Sequence, residues 1–413
     1  MKKTILAVFG VLLIMLSALS GCASGTAIAG WAGITFSDGN IFTVSSQGQL
    51  EVINVSDLAA TWSIDIAEIS GGGLGCGPST LAVAVYGTPA VVGDRVYVAG
   101  YNGKIYVYDL STKALVKEFV LDEENHQTIV GGPVVGGGFV YIVSTNGYIY
   151  ALNADKLELE WKFKSGGKIW STPTLVDGTI YFSSFDGNLY ALDAAKGDLL
   201  WQASVGGAVV ASPVISGDAI YAVSFDRGIY AFNRIDGSLK WRFPADGQDE
   251  RPQRWFWATP VVFNGYLYAP CLDGKVYAVS TSSVTDVIVF DLRSPISSSP
   301  VVCAGKVVVA TEDASMYTIE ASTNKQELLA ELRDKEKESS MIINSQLCSV
   351  GNKVYIHTLK PDRVYAYDFD DASWKYIALD TLVSASALPA GTVTVTEYNT
   401  TTVYIPTTVT VTQ

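Results

Sequence analysis

The residues that could do chemistry are few. The chain has only two histidines, His126 and His357, so a histidine-based triad or a multi-histidine metal site has almost no material. The aspartates Asp186, Asp226, Asp273 and Asp313 recur at one height of a repeat, where acid pairs could form. Three of them stand in Asp-Gly or Asp-Arg-Gly turns that explain an aspartate without catalysis. Ser70-Gly71-Gly72-Gly73-Leu74-Gly75 is glycine-rich but lacks the Gly-Lys-Ser/Thr ending of a phosphate loop. Asp122-Glu123-Glu124-Asn125-His126 offers oxygens to a hard cation without calcium-loop spacing, and Asp334-Lys335-Glu336-Lys337-Glu338, inside the insertion Arg333–Met341, reads as a solvated charge run. No catalytic residue and no metal site is assigned.

Binding chemistry is better supplied. The stretch Asp249-Glu250-Arg251-Pro252-Gln253-Arg254-Trp255-Phe256-Trp257 combines arginine with aromatics, the residue types that dominate binding hot spots. Arg251, Arg254, Trp255, Phe256 and Trp257 are therefore candidate partner contacts; a loop folded over the rim by its own aromatics is the competing reading. Trp31, Tyr86, Trp170 and Trp257 share one repeat position with Val130, Val210, Ser297 and Asn344. They would ring the mouth of a central channel and could grip a peptide, a sugar ring or a planar ligand. Packing between repeats is the competing reading.

The elements that must position these side chains come from internal repetition. Equivalent anchors fall at Phe42, Tyr97, Tyr141, Tyr181, Tyr221, Tyr268, Val308 and Tyr355, 40 to 55 residues apart. Six of them have a proline eight residues earlier, from Pro89 to Pro300, and six a tyrosine nine residues later. Asn-Gly or Asp-Gly lies between the two aromatics in repeats 2, 3, 4 and 6, and Trp62, Trp161, Trp201 or Trp241 follows twenty residues after its anchor. Each repeat reads as four short strands joined by tight turns. Such a sheet cannot bury both faces alone, and radial stacking solves this. The expected fold is all-β, an eight-bladed propeller of four-stranded antiparallel blades over residues 30–380. Seven blades is the alternative, because repeats 1, 7 and 8 are the most degenerate.

Ala191-Leu192-Asp193-Ala194-Ala195-Lys196-Gly197-Asp198-Leu199-Leu200-Trp201 resembles the Ala-x-Asp-x-x-x-Gly-x-x-x-Trp core of the PQQ-type (quinoprotein-like) propeller repeat. The resemblance is best in repeats 3 to 5 and loses its tryptophan in repeats 2, 6 and 7. It implies that Trp62, Trp161, Trp201 and Trp241 dock one blade on the next. The family spans quinoprotein dehydrogenases, which bind PQQ with Ca²⁺, and cofactor-free lipoproteins of outer-membrane protein assembly, the BamB branch. This chain looks more like the second group. The expectation is a monomeric, non-enzymatic scaffold for protein or peptide partners with no cofactor. The alternative is a PQQ-binding dehydrogenase or small-ligand sensor, against which stands the lack of an adjacent cysteine pair or an assignable Ca²⁺ ligand set.

The two ends give an address. Lys2 and Lys3 precede an apolar run from Ile5 to Leu16, too short to span a bilayer, and Leu19-Ser20-Gly21-Cys22 resembles a bacterial lipobox. Residues 1–21 are read as a signal peptide, Cys22 as the lipidated residue and residues 22–29 as a tether. The expected location is the bacterial cell envelope, on the extracytoplasmic side of a membrane held only by lipid. Loss of Lys2 and Lys3 lowers the formal net charge from −13 to −15, which argues against nucleic acid. Cys76, Cys271, Cys303 and Cys348 are far apart; the last three lie in apolar runs where a buried cysteine acts as a small hydrophobe. Residues 381–413 form a Thr/Val-rich tail whose alternation suits an added strand, a spacer or pairing with another chain, and whose lack of a core favours a mobile tail.

Overall fold

The structure, a computed structural model, describes residues 30–70, 79–121, 127–245, 251–332, 343–379, 394–398 and 407–410. Cys22, Cys76, His126 and the residues 333–341 lie outside them. Blade 4 shows how the sequence makes a sheet. Its strands A to D are Thr174–Val176, Thr179–Ser183, Asn188–Asp193 and Leu199–Ser204, each antiparallel to the one before. Asp177 and Gly178 both take positive φ, 50° and 74°, as the two-residue A–B turn requires. At the C–D turn the Asp193 carboxylate accepts the N–H groups of Ala195 and Lys196 at 3.0 and 2.9 Å, and Gly197 follows with φ 75°.

Eight such sheets follow in chain order. Their A strands begin at Thr35, Ala90, Val134, Thr174, Val214, Val261, Val301 and Cys348, and their D strands end at Asp65, Val120, Lys164, Ser204, Phe243, Asp291, Glu331 and Ala378. The fold is an all-β, eight-bladed propeller. A hairpin of Ala67–Ser70 with Ser79–Ala82 fills part of the insertion between blades 1 and 2. Thr394–Tyr398 pairs antiparallel with the outer strand of blade 8, in register Lys375 with Glu397, and Thr407–Thr410 pairs with that strand in turn. These parts of the tail are thus added strands rather than the mobile spacer the composition favours.

Among the described residues the core divides into eight buried clusters, one at each interface between successive blades, including blade 8 against blade 1. Each buried aliphatic or aromatic side chain contributes roughly 1.5–3 kcal/mol, so stability resides between blades as much as within them. The tryptophans sit at three of these interfaces as couplings. The indole N–H of Trp161 donates to Ala194 O at 3.1 Å, that of Trp201 to Arg234 O at 3.2 Å and that of Trp241 to Thr281 O at 3.4 Å, each on the next blade. The Trp161 ring lies so close over Gly197 that a Cβ there would stand 2.6 Å from it. The spacing of glycine and tryptophan in the repeat is therefore one contact made across an interface. Trp62 is buried in the cluster between blades 1 and 2, where Lys113 Nζ lies 5.8 Å from its ring centre. Blade 2 has no such tryptophan; there Lys117 Nζ donates to Lys156 O at 2.6 Å and Arg95 to Ala154 O at 3.2 Å on blade 3.

Among the described residues no strand is exchanged where the ring closes, since blades 1 and 8 each draw their four strands from one contiguous stretch. Closure instead joins an apolar cluster, with Ile34, Ile41, Tyr355 and Ile377, to a buried polar network. His357 Nε2 lies 2.8 Å from Asp362 Oδ1, His357 Nδ1 is 3.0 Å from Ala32 O, and the second Asp362 oxygen accepts Ser46 N–H at 2.6 Å. The histidine thus bridges the two ends of the ring with an acceptor facing each nitrogen. Glu51 on blade 1 is fully buried and its carboxylate oxygens meet no donor among the described residues. Burial first, then the nearby Asp362 and Asp65 carboxylates, raises its pKa from 4.5 to about 8.

The sign of that effect is fixed by linkage. As pH rises above 4.5 the unfolded chain ionises Glu51 while the folded chain holds it protonated, so folding stability is lost progressively until about pH 8 and then levels. Glu51→Gln removes this term. The melting temperature of the variant relative to the parent should therefore rise between about pH 5 and about pH 8; paired thermal melts across that window check it, and a constant gap would contradict the assignment.

Candidate functional site

The A strands line the axis, and the residues leading into them form a solvent-open funnel with a cavity of about 130 Å³, on the rim that also carries the B–C turns. Trp31, Tyr86, Val130, Trp170, Val210, Trp257, Ser297 and Asn344, one from each blade, line it. A belt of hydroxyls lies just behind. Thr172 Oγ1 accepts Gly132 N–H at 2.8 Å, Thr259 Oγ1 accepts Ser212 N–H at 3.1 Å, and Ser299 Oγ accepts Thr259 N–H at 3.0 Å, each bond joining neighbouring blades.

The aromatic residues of this ring gather into two groups. Trp31 meets Tyr86 edge-on at 4.4 Å, and Tyr86 meets Tyr101 at 5.0 Å. On the far side Trp170 packs edge-on against Phe185 at 4.7 Å and Trp257 at 6.2 Å; Phe225 then stacks on both Trp255 and Trp257, at 5.5 and 6.1 Å. Tyr101, Phe185 and Phe225 escaped the sequence reading. All three stand four residues after their anchors, in the B–C turn, so the same spacing argument applied one position further would have found them.

The insertion at 251–257 is held at three points. Asp273 Oδ2 accepts Gln253 N–H at 3.0 Å, Leu272 N–H donates to Trp255 O at 3.3 Å, and the Cys271 thiol donates to Arg254 O at 3.3 Å. Phe256 corrects the expectation of a surface contact: it is 0 % exposed, sealed into the cluster between blades 5 and 6 with its ring edge-on to Tyr277 at 5.9 Å. Anchoring by Phe256 turns its neighbour outward, and Trp255 is 50 % exposed. Arg251 and Arg254 are exposed beside it. The result is a fixed display of one indole, two guanidinium groups and a stacked phenyl ring.

The turn aspartates are occupied structurally. Asp186 accepts Tyr190 Oη–H at 2.6 Å, Asn188 N–H at 3.0 Å and Gly166 N–H at 2.8 Å; Asp273 accepts Tyr277 Oη–H at 2.8 Å; Asp226 accepts the Tyr230 hydroxyl. Burial, with the Asp186 hydrogen bond adding to it, pushes the Tyr190 hydroxyl up to about 12. His357 belongs to the ring closure, away from the funnel. Cys271, Cys303 and Cys348 are free thiols, and burial raises them to about 12, 11 and 11.

The funnel can also be judged against the cofactor of the quinoprotein relatives. PQQ carries three carboxylates, and among the described residues the funnel lining contains no Lys, Arg or His to meet them. Nor do the described residues hold a group of three or more His, Cys, Asp or Glu able to take the accompanying cation. The residues present do not fit that group.

Eight four-stranded blades, the Asp–Gly–Trp coupling and an aromatic axial mouth define a PQQ-type β-propeller. The family described as outer membrane protein assembly factor BamB matches residues 18–168 and 158–375, and the chain belongs to it. Among solved structures it is similar to BamB from Moraxella catarrhalis, with 20 % identity over 69 % of this chain and 80 % of that one and a TM-score of 0.54. It is also similar to the computationally designed Ika8 protein, with 14 % identity over 84 % of this chain and 98 % of that one and a TM-score of 0.63. At these identities the likeness is one of fold. No curated protein matches the sequence.

Asp273 is the polar pin of the displayed loop. Asp273→Ala should leave the propeller folded, with a melting temperature lowered by a few degrees. Amide hydrogen exchange at Gln253 should accelerate at least about tenfold as its acceptor is lost. Exchange measured residue by residue checks this, and unchanged protection at Gln253 would show that Phe256 alone holds the loop.

Proposed function

We propose that this chain is a non-enzymatic scaffold of the bacterial cell envelope, tethered by lipid on Cys22 to the extracytoplasmic side of a membrane and binding protein or peptide partners during envelope protein assembly. Its family membership supports the scaffold reading, and the lipobox-like Leu19-Ser20-Gly21-Cys22 supports the address. The observation that carries the reading is the exposed Trp255 stacked on Phe225 and flanked by Arg251 and Arg254, held by a buried Phe256. A rigid aromatic surface already fixed in its binding geometry loses little entropy on association, and Trp and Arg are the residues that most often dominate such contacts. The acidic body, at a formal net charge of −15 once residues 1–21 are removed, leaves these two arginines as a local positive contrast that a partner carboxylate can meet.

Two measurements test this. The parent protein expressed with its leader in a bacterial host should partition into membranes and incorporate labelled fatty acid, and Cys22→Ala should abolish both; incorporation by the variant would remove the lipid anchor from the proposal. Proteins crosslinked to the parent in intact cells should be lost, by about tenfold or more, from Trp255→Ala/Arg254→Ala, since a hot-spot pair contributes upward of 2 kcal/mol. Full recovery of the same partners by the double variant would move the interface elsewhere on the propeller.

A further inference from the structure

The funnel at the axis has a chemistry distinct from that of the displayed loop. Two aromatic groups face it, Trp31 with Tyr86 on one side and Trp170 with Trp257 on the other. Between them, on blades 7 and 8, lies a third wall of Ser297, Ser299, Asn344 and Gln346. Among the described residues no Lys, Arg, Asp or Glu lines it, although the chain as a whole carries 69 such residues. The polar groups on this surface are also left with capacity. Thr172, Thr259 and Ser299 each accept a backbone N–H, which leaves the hydroxyl hydrogen for another acceptor. Asn344 Oδ1 accepts from Ser297 Oγ at 2.9 Å, which leaves its amide hydrogens available. The indole N–H of Trp170 is buried and meets no acceptor among the described residues.

We propose that the funnel is a binding site for the end of a neutral saccharide chain. A pyranose ring presents a C–H face that stacks on indole and phenol rings and equatorial hydroxyls that exchange hydrogen bonds with hydroxyl and carboxamide groups. That pairing of apolar face and polar edge is what two aromatic walls and one uncharged polar wall complement. An ionic ligand would find no countercharge in the lining. A proline-rich peptide shares the taste for aromatic rings but runs along a groove, whereas here the walls close around an axis and suit a chain end. The inference does not depend on the protein-binding surface at Trp255.

The test uses the whole protein and four probes: maltotriose, cellotriose, chitotriose and decaproline, titrated by calorimetry and by intrinsic tryptophan fluorescence. Saturable binding of at least one trisaccharide is expected, with a Kd in the range of about 0.01–1 mM. Trp31→Ala and Asn344→Ala should each weaken it about tenfold, Trp31→Phe should retain most of it, and Ile235→Ala, at an exposed position in the outer C–D turn of blade 5, should leave it unchanged. If Trp31→Ala does not fold, as circular dichroism would show, Asn344→Ala and Trp31→Phe carry the comparison. Absence of saturation by every trisaccharide at about 10 mM, tighter binding of decaproline, or affinity unmoved by Asn344→Ala would each overturn the proposal.

Discussion

Everything in this protein depends on one requirement, that a small four-stranded sheet with two apolar faces must find a neighbour for each of them. One blade buries too little surface to fold by itself. Eight blades in a ring bury both faces of every blade, and the buried clusters fall between blades for that reason. The Trp–Gly contact makes the requirement specific: the indole of one blade closes on the glycine of the next and donates to a carbonyl beside it. Where the tryptophan is missing, blade 2 reaches its neighbour with Lys117 and Arg95 instead. The interface is held in both cases, and only its chemistry changes.

This arrangement divides the sequence into parts under different constraint. Strands B and C are buried almost throughout and tolerate little beyond apolar residues and the recurring tyrosines. The leads into strand A and the B–C turns are free of that duty on one side, so their side chains vary from Trp to Ser around the ring. Binding chemistry accumulates there because the scaffold does not specify it. The displayed loop adds a further freedom, since its length beyond the repeat is paid for by a single plug, Phe256, and a few hydrogen bonds to the turn of blade 6.

What could be read from the sequence follows the same division. Repetition made the blades legible, because each anchor, turn and proline is restated several times. It also made the funnel ring legible, since Trp31, Tyr86, Trp170 and Trp257 share one repeat position. Phe185 and Phe225 share one spacing from their anchors, but each stands beside a turn aspartate whose turn chemistry is the stronger local signal. That the loop is pinned by one of its own aromatics could be read as an alternative; that Phe256 is the one could not. Its burial is set by a cavity between blades 5 and 6, and an insertion has no repeat partner to show which of three adjacent aromatics points inward. The role of His357 was hidden for another reason: it meets Ala32 and Thr43 on the first blade, more than 300 residues away.

The closure at His357 has a mechanical side. Residue 30 and residue 379 approach the ring at the two blades that meet there, and no strand is shared between them. A load carried between the two ends of the propeller therefore falls first on one interface, pulling it open blade from blade, while the other seven are spared. Each of the other seven interfaces is also bridged by the chain running from one blade to the next, whereas this one is held by non-covalent contacts alone. A buried histidine with acceptors at both nitrogens stands at the place where that tension would begin to tear.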